Sequence, residues 1–229
     1  KQLLRLIASR PTLLEEAVDR AHAFATTETT YLCTTKDLLQ WIPLPIGGLD
    51  PSNLIVEPFG RDTAPALALC SLVVRHRDPD GVLVCLSCDH YVQDLRSFAD
   101  TVGAAAKRAK EGRMVIIGAK PTRPESAYGY IQLGSKIGDA MYEVLRFKEK
   151  PDVRSATRYL KSCRYLWNTG IFVWRCDVFL EQLAEHMPDL SREMKGIEKA
   201  LGTPDQEAAT LAAYSRIAPI SIDYGLLEK

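Results

Sequence analysis

An acidic side chain, Asp89, follows a run of apolar residues and is the first candidate for chemistry in this chain. The run, residues 81–86 (GVLVCL), has no polar alternation, which is typical of a strand covered on both faces in a parallel sheet. Ligands of such sheets gather beyond the carboxyl ends of the strands. Asp89 is therefore predicted to hold a divalent metal ion beside a charged substrate.

Four segments combine charged residues, glycines and strand ends, although each of them is weak alone. They are residues 57–64 (EPFGRDTA), Asp89-His90, residues 128–131 (YGYI), and residues 149–151 (EKP) together with residues 167–170 (WNTG). In the third and fourth, Gly129 would let backbone approach a ligand closely, and the amide of Asn168 can both donate to and accept from hydroxyl groups. A turn or purely structural role remains an alternative for both residues.

The stretch Arg61-Asp62-Thr63 stands directly before a predicted helix. Free backbone amides and the helix dipole favour anions at such a position. Asp62 is equally suited to capping the helix, and Arg61 to a solvated position, so a structural interpretation stays open beside a binding role. Glu149 and Lys150 combine an acceptor with a compact cation, and an exposed ion pair is the alternative there.

The elements that must position these residues alternate between strand and helix. Capping-box spacing at residues 12–15 (TLLE) predicts a helix to about His22, and further helices are predicted over 62–77 and 95–111, with strands near 31–33, 54–57, 82–86 and 114–118. Beyond residue 120 we expect a hairpin over 128–147, helices over 153–161 and 177–186, a strand over 170–174 and a mostly helical final third. The pattern predicts a doubly wound α/β fold with a mixed but mostly parallel sheet, helices on both faces and a small extension beside the cleft.

Composition limits the possible functions of the 229 residues. Lysine plus arginine and aspartate plus glutamate both number 29, so no global field draws the chain to nucleic acid or to an anionic membrane. The most apolar window, residues 64–74, falls short of the roughly 20 residues that span a bilayer. Six scattered cysteines favour a reducing compartment, and we expect a cytoplasmic protein.

The ordered motif set EPFGRDTAPALAL, YGYI, EKPD, WNTGIF and SIDYG resembles that of the sugar-nucleotide pyrophosphorylases, most closely the mannose-1-phosphate guanylyltransferases. The resemblance covers almost the whole chain. It implies a Rossmann-like nucleotidyltransferase (GT-A-like) core and a transferase that joins GTP to mannose 1-phosphate, giving GDP-mannose and pyrophosphate with the help of Mg²⁺ or another divalent cation. A thymidylyl- or uridylyltransferase acting on another sugar phosphate, and a non-catalytic binder of GDP-mannose, remain alternatives.

The resemblance also implies roles for particular residues. Asp89 matches the family's metal acid, and Asp89 and Lys150 are the predicted catalytic residues. The predicted nucleotide site comprises Lys1, Glu57, Arg61, Asp62, Thr63 and Asp89, and the predicted sugar-phosphate site comprises Tyr128, Gly129, Tyr130, Glu149, Lys150, Asn168, Thr169, Asp223 and Tyr224. In the family the glutamate accepts hydrogen bonds from sugar hydroxyls while the lysine contacts the sugar phosphate.

Two features of the family are absent from these residues. Its glycine-rich phosphate loop is expected before Lys1-Gln2, and its second metal acid beyond residues 221–229. We therefore expect a single nucleotidyltransferase domain over 1–229, with a nucleotide half of about 1–120 and a sugar-phosphate half of about 121–229, incomplete for catalysis as it stands. Two interpretations remain: these residues are part of an active enzyme, or they are a truncated relative that binds a sugar nucleotide without turnover. A homodimer is a further expectation.

Overall fold

The computed structural model describes residues 3–5 and 11–229, which form a mixed α/β structure. The predicted nucleotide contact at Lys1 lies outside the described residues. The helices are α1 (Leu13–Ala21), α2 (Lys36–Leu39), α3 (Thr63–Arg77), α4 (Leu95–Lys110), α5 (Val153–Ser162), α6 (Cys176–His186), α7 (Pro188–Ala200) and α8 (Gln206–Arg216), and a short π-helix covers Asp223–Leu227. The strands are β1 (Leu32–Thr35), β2 (Leu54–Glu57), β3 (Val82–Cys85), β4 (Val115–Ala119), β5 (Tyr130–Gly138), β6 (Met141–Lys148) and β7 (Tyr165–Arg175).

Local signals in the sequence account for where several helices begin. The predicted capping box of α1 is confirmed: the Thr12 hydroxyl accepts from the Glu15 amide, and the Glu15 carboxylate accepts from the Thr12 amide. Asp62 caps α3 by accepting from the Thr63 amide at 2.7 Å. The structural alternative for Asp62 is therefore real, and its backbone has an unusual φ of +69°.

The strands form two sheets, and the prediction of a mostly parallel sheet was wrong for the larger one. Strands β1 and β2 pair in parallel, whereas every pairing among β3, β4, β5, β6 and β7 is antiparallel. The reason is that β7 lies between β3 and β4 and runs against both. Since β3 and β4 each oppose β7, they run in the same direction, as the strand-helix alternation predicted.

Strand β7 organises the larger sheet, because its two edges carry three partners. One edge pairs with β4 from Trp167 to Val173. The other edge pairs with β5 at its beginning, where Tyr130 is opposite Trp167, and with β3 at its end, where Cys85 is opposite Phe172. Asn168 therefore lies between the start of β5 and the end of β3 along this edge of β7.

The largest hydrophobic core draws on both halves of the chain. Ile55 and the buried face of α3 pack with residues of β7, α6, α7 and α8. Within it Trp174 and Phe179 stack with ring centroids 4.3 Å apart, and the Trp174 indole donates to the Ser71 hydroxyl. Strand β3 has apolar partners on both faces, as predicted, because alternate residues pack against different clusters. Within the part of the chain that the structure describes, no helix is long and apolar enough to cross a membrane.

Candidate functional site

Two of the predicted sugar-site residues, Glu149 and Asn168, lie against a third, Gly129, directly before β5. The Gly129 carbonyl accepts from the Asn168 amide at 2.7 Å. A Cβ atom at Gly129 would lie 2.6 Å from Glu149 Oε2, 2.9 Å from Phe147 Cζ and 3.2 Å from Asn168 Cβ. A side chain at position 129 would displace the Glu149 carboxylate, so the glycine is required by close approach.

Glu149 and Lys150 form an ion pair whose two members differ in exposure. Lys150 Nζ lies 3.2 Å from Glu149 Oε1, and the side chain of Glu149 is 11% exposed while that of Lys150 is 58% exposed. The hydrogen bond and charge of Glu149 raise the pKa of Lys150. Lys150 also has a left-handed backbone with φ of +41°, a strained conformation that for a non-glycine residue is often associated with function. The ammonium group is charged and reachable by a ligand.

Asp223 joins this group from the π-helix near the end of the chain. The Asn168 side-chain amide donates to Asp223 Oδ1 at 3.0 Å, and Asn168 Oδ1 accepts from the Gly170 amide at 2.9 Å. Burial, followed by the charge of Glu149, raises the pKa of Asp223 to about 6. Near neutral pH the site therefore has two carboxylates close to one lysine. We call Gly129, Glu149, Lys150, Asn168 and Asp223 the sugar cluster.

Replacing Asp223 by Asn is expected to stabilise the protein at pH 8. The folded-state pKa of Asp223 lies above the unfolded value of about 3.9, so the folded protein favours the protonated carboxyl. The resulting stabilisation is complete below pH ~4 and is lost as the pH rises through about 6. After allowance for solvent, we expect Asp223→Asn to add about 1 kcal/mol, or roughly 2–4 °C in Tm, at pH 8. Calorimetry at pH 4.5 is the control, because the protonated Asp223 resembles Asn there. An equal gain at both pH values would contradict this assignment.

Glu228 makes contacts beside the sugar cluster that sequence reasoning missed. Its Oε1 atom accepts from the Lys148 ammonium at 3.0 Å and from the Glu149 backbone amide at 2.9 Å. These hydrogen bonds lower the pKa of Glu228. Because Glu228 is 79 positions from Glu149, no local pattern could reveal the contact. Glu228 fixes the backbone from which the Glu149-Lys150 pair projects.

The remaining predicted sugar-site residues divide between surface and interior. Tyr128 is exposed and packs edge-on against Trp167, with centroids 5.3 Å apart, and Tyr224 is also exposed. Tyr130 is fully buried beside Tyr159, so its side chain is not available to a ligand. Its place in the YGYI motif serves the core rather than the predicted contact.

Thr169 also has a structural role in this state. Its hydroxyl donates to the Ile117 carbonyl at 2.5 Å and accepts from the Ile171 amide at 3.3 Å. These bonds attach β7 to β4 where their register shifts between Ile117 and Gly118. The predicted sugar contact by Thr169 would require the hydroxyl to leave both partners.

The loop from Arg61 to Thr63 is attached to the segment that carries Asp223. The Ile220 amide donates to the Arg61 carbonyl at 3.1 Å, and the Ala64 amide donates to the Ile220 carbonyl at 3.1 Å. The Thr63 hydroxyl accepts from the Ile222 amide at 2.9 Å. The predicted nucleotide loop and the sugar cluster are therefore linked through one short stretch of backbone.

Arg61 packs against Tyr214 and Phe59, and Glu57 is buried, so neither side chain simply lines an open surface. The Arg61 Nε–H donates to the Tyr214 carbonyl, and its guanidinium lies 4.6 Å from the Phe59 ring centroid. Glu57 is only 6% exposed, Oε1 has no hydrogen-bond partner, and burial raises its pKa to about 7. The prediction of a direct nucleotide contact by the Glu57 side chain is not supported, because that side chain is buried.

Asp89 lies in the connection after β3, where residues 86–93 contain neither helix nor strand. Asp89 is exposed, as a carboxylate that binds a ligand must be. Burial lowers the pKa of neighbouring His90, while the charge of Asp89 acts in the opposite direction. The buried Arg20 holds this connection through two carbonyl groups, and this is a second contact that sequence reasoning missed.

The donor set of the site restricts what metal ion it could hold. Among the described residues, no group of three or more His, Cys, Asp or Glu side chains converges to form a metal site. A single exposed carboxylate such as Asp89 fits a hard cation that takes its other ligands from water and phosphate oxygens. Mg²⁺ commonly binds in this way, through one or two carboxylates and the substrate.

Comparisons with known proteins identify the class of protein that this fold and site define. The model of the nucleotidyl transferase family matches residues 12–209. The chain belongs to the nucleotidyl transferase family. Its motifs predicted a likeness to mannose-1-phosphate guanylyltransferases, and this is confirmed by a protein of that name from Escherichia coli, 33% identical over 100% of the chain and 50% of the relative.

A second curated relative and a solved structure are also similar to this chain. A putative mannose-1-phosphate guanylyltransferase of Vibrio cholerae is 34% identical over 77% of the chain and 38% of its own length. The crystal structure titled mannose-1-phosphate geranyltransferase from Thermus thermophilus is 32% identical with a TM-score of 0.81, covering 95% of this chain and 61% of that one. The chain thus spans half or less of the length of these curated relatives.

Proposed function

We propose that the protein transfers a guanylyl group from GTP to mannose 1-phosphate, giving GDP-mannose and releasing pyrophosphate. The observation that carries the proposal is the sugar cluster, in which an acceptor, a cation and an amide come together around Gly129. Family membership supports the transfer of a nucleotidyl group, and the names of the relatives support this pair of substrates. The free thiols of Cys33, Cys70, Cys85, Cys163 and Cys176 support a cytoplasmic setting.

The attacking group in this reaction needs no general base. A sugar phosphate has a second pKa near ~6 and is largely a dianion at neutral pH, so its oxygen can attack the α-phosphate directly. The protein has to align two polyanions and neutralise their charge. Lys150 would bind the phosphate of the sugar, while Glu149 and Asn168 would orient its hydroxyl groups.

The nucleotide is proposed to bind between the Arg61-Asp62-Thr63 loop and Asp89. The amides at the start of α3 offer donors to an anion or a ribose, and the link to Ile220 and Ile222 keeps this loop in register with the sugar cluster. Asp89 would contribute one oxygen ligand to Mg²⁺. When bound, the cation would supply charge neutralisation for the phosphates of the nucleotide.

Pyrophosphate release by the full-length protein with Mg²⁺ tests this proposal. We expect release with GTP and mannose 1-phosphate to exceed that of every other pair in a panel of four nucleoside triphosphates against mannose and glucose 1-phosphates. Faster release with dTTP or UTP and glucose 1-phosphate would assign the protein to another branch. Binding of GDP-mannose by calorimetry without any release would identify a non-catalytic relative.

Replacing Gly129 by Ala is expected to weaken binding of the sugar phosphate without unfolding the protein. The new Cβ would lie 2.6 Å from Glu149 Oε2 and 2.9 Å from Phe147 Cζ, so the Glu149 carboxylate and the Phe147 ring must both shift. We expect KM for mannose 1-phosphate to rise about tenfold or more, and KM for GTP to change less than about twofold. Gly103→Ala is the matched control, because a Cβ there meets nothing within 4 Å. A normal KM in Gly129→Ala would remove Glu149 from the sugar site.

A further inference from the structure

A buried arginine, Arg20, stands out among the charged residues of α1. It occupies the last turn of the helix, and its residue is only 3% exposed. Arginine is almost never fully buried unless it is paired, because removing its charge from water is costly. The partners of Arg20 must therefore account for its position.

These partners lie in the connection that carries Asp89. Arg20 Nη1 donates to the His90 carbonyl at 2.8 Å, and Nη2 donates to the Ser87 carbonyl at 2.9 Å. The two carbonyls flank Cys88 and Asp89 on either side. Because residues 86–93 contain no helix or strand, their shape is not fixed by regular backbone hydrogen bonding.

Electrostatics favour the same arrangement. Burial lowers the pKa of Arg20, whereas charges at Cys88, Glu16 and Asp89 act in the opposite direction. An arginine remains protonated even when it is buried. The guanidinium therefore supplies a positive charge that interacts with Asp89, in addition to its two hydrogen bonds.

We propose that Arg20 is a positioning residue that holds residues 87–90 in the conformation presenting Asp89 to the nucleotide-binding side of the cleft. The proposal deepens the proposed function and rests on it for the role of Asp89. The planar fork of arginine can donate to two carbonyls at a fixed separation, whereas a lysine ammonium is a single point with flexible geometry. Holding both the Ser87 and His90 carbonyls therefore requires an arginine, because a lysine would not donate to both in the same way.

Hydrogen exchange of the free protein, followed by mass spectrometry, tests the structural part without any substrate. We expect Arg20→Met to increase exchange in the peptide containing residues 87–90 about tenfold or more, and Arg20→Lys to increase it less, with α8 unchanged. Arg108→Met is the matched control, because Arg108 also lies in a last helical turn and donates to a carbonyl, that of Ile137. If an Arg20 variant folds and residues 87–90 exchange at the wild-type rate, the proposal is overturned. It is also overturned if neither Arg20 variant folds.

Calorimetric titration with GTP tests the link to Asp89. We expect Arg20→Met to weaken GTP binding about tenfold with Mg²⁺ present and less than about twofold in EDTA, since the nucleotide alone does not use Asp89. Equal weakening in both conditions would contradict a role through Asp89. If the wild-type protein neither binds GTP nor releases pyrophosphate, the proposed function fails, while the exchange experiment still decides whether Arg20 holds the connection.

Discussion

Replacing Lys150 by Met is expected to reduce pyrophosphate release about 100- to 1000-fold, the range observed when one charge-stabilising donor is removed from an active site. Met preserves most of the side-chain length but removes the ammonium that would neutralise the phosphate of the sugar. The residue is 58% exposed at its side chain, so its loss should change the Tm little. Steady-state kinetics should show both a lower kcat and a higher KM for mannose 1-phosphate, with KM for GTP nearly unchanged.

Two further variants separate the charge of Lys150 from its backbone conformation. Lys150→Gly relieves the left-handed backbone strain and is expected to be as inactive as Lys150→Met while folding at least as stably. Lys136→Met removes an exposed lysine from the β5–β6 hairpin that precedes Lys150 and should retain wild-type rates. Substantial activity in Lys150→Met would show that the Lys150-Glu149 contact is only a surface ion pair.

Replacing Asp89 by Asn is expected to reduce the Mg²⁺-dependent rate about 1000-fold or more, because the amide keeps the shape of the side chain but has no negative charge for a cation. Binding of GTP in EDTA should be unchanged, as measured by calorimetry. Raising the Mg²⁺ concentration should restore part of the lost rate if the remaining ligands come from the nucleotide and water. A wild-type rate at limiting Mg²⁺ would exclude Asp89 as a metal ligand.

Asp94→Asn in the same connection provides a matched control with the opposite signature. Asp94 caps α4 by accepting from the Ser97 amide at 3.0 Å, and its hydrogen bonds to Ser97 lower its pKa. The amide oxygen of Asn can still cap α4, but the negative charge at the start of the helix is lost, so the variant is expected to lower the Tm slightly while retaining its rate of pyrophosphate release. Asp89 and Asp94 thus distinguish a carboxylate that serves the reaction from one that serves the fold.

Much of the fold could be predicted because its signals are local. The capping box at Thr12 and Glu15, the acidic cap before α3 and the apolar run of β3 each identify an element within a few residues. Strand β7 was predicted only from Gly170 onward, although it begins at Tyr165. The polar residues Asn168 and Thr169 interrupt its apolar pattern because they face the site and β4 instead of the core.

The candidate site could be predicted where its residues occur in short motifs, and not where they depend on distant contacts. Glu149, Lys150, Asn168 and Asp223 were predicted from their motifs, and the structure brings them together. Arg20 was missed because its contacts lie 67 and 70 positions away, beyond the reach of any local pattern. The burial of Glu57 and Tyr130 could not be predicted either, because a motif identifies a residue without showing in which direction its side chain points.

The position of β7 limits how the two halves of the chain can move relative to each other. This strand comes from the second half of the chain, yet it separates two strands of the first half and shares their core. The halves therefore cannot swing apart as rigid jaws about a hinge without breaking the central sheet. Any movement that admits a ligand would have to come from the surface connections instead, such as the one that follows β3.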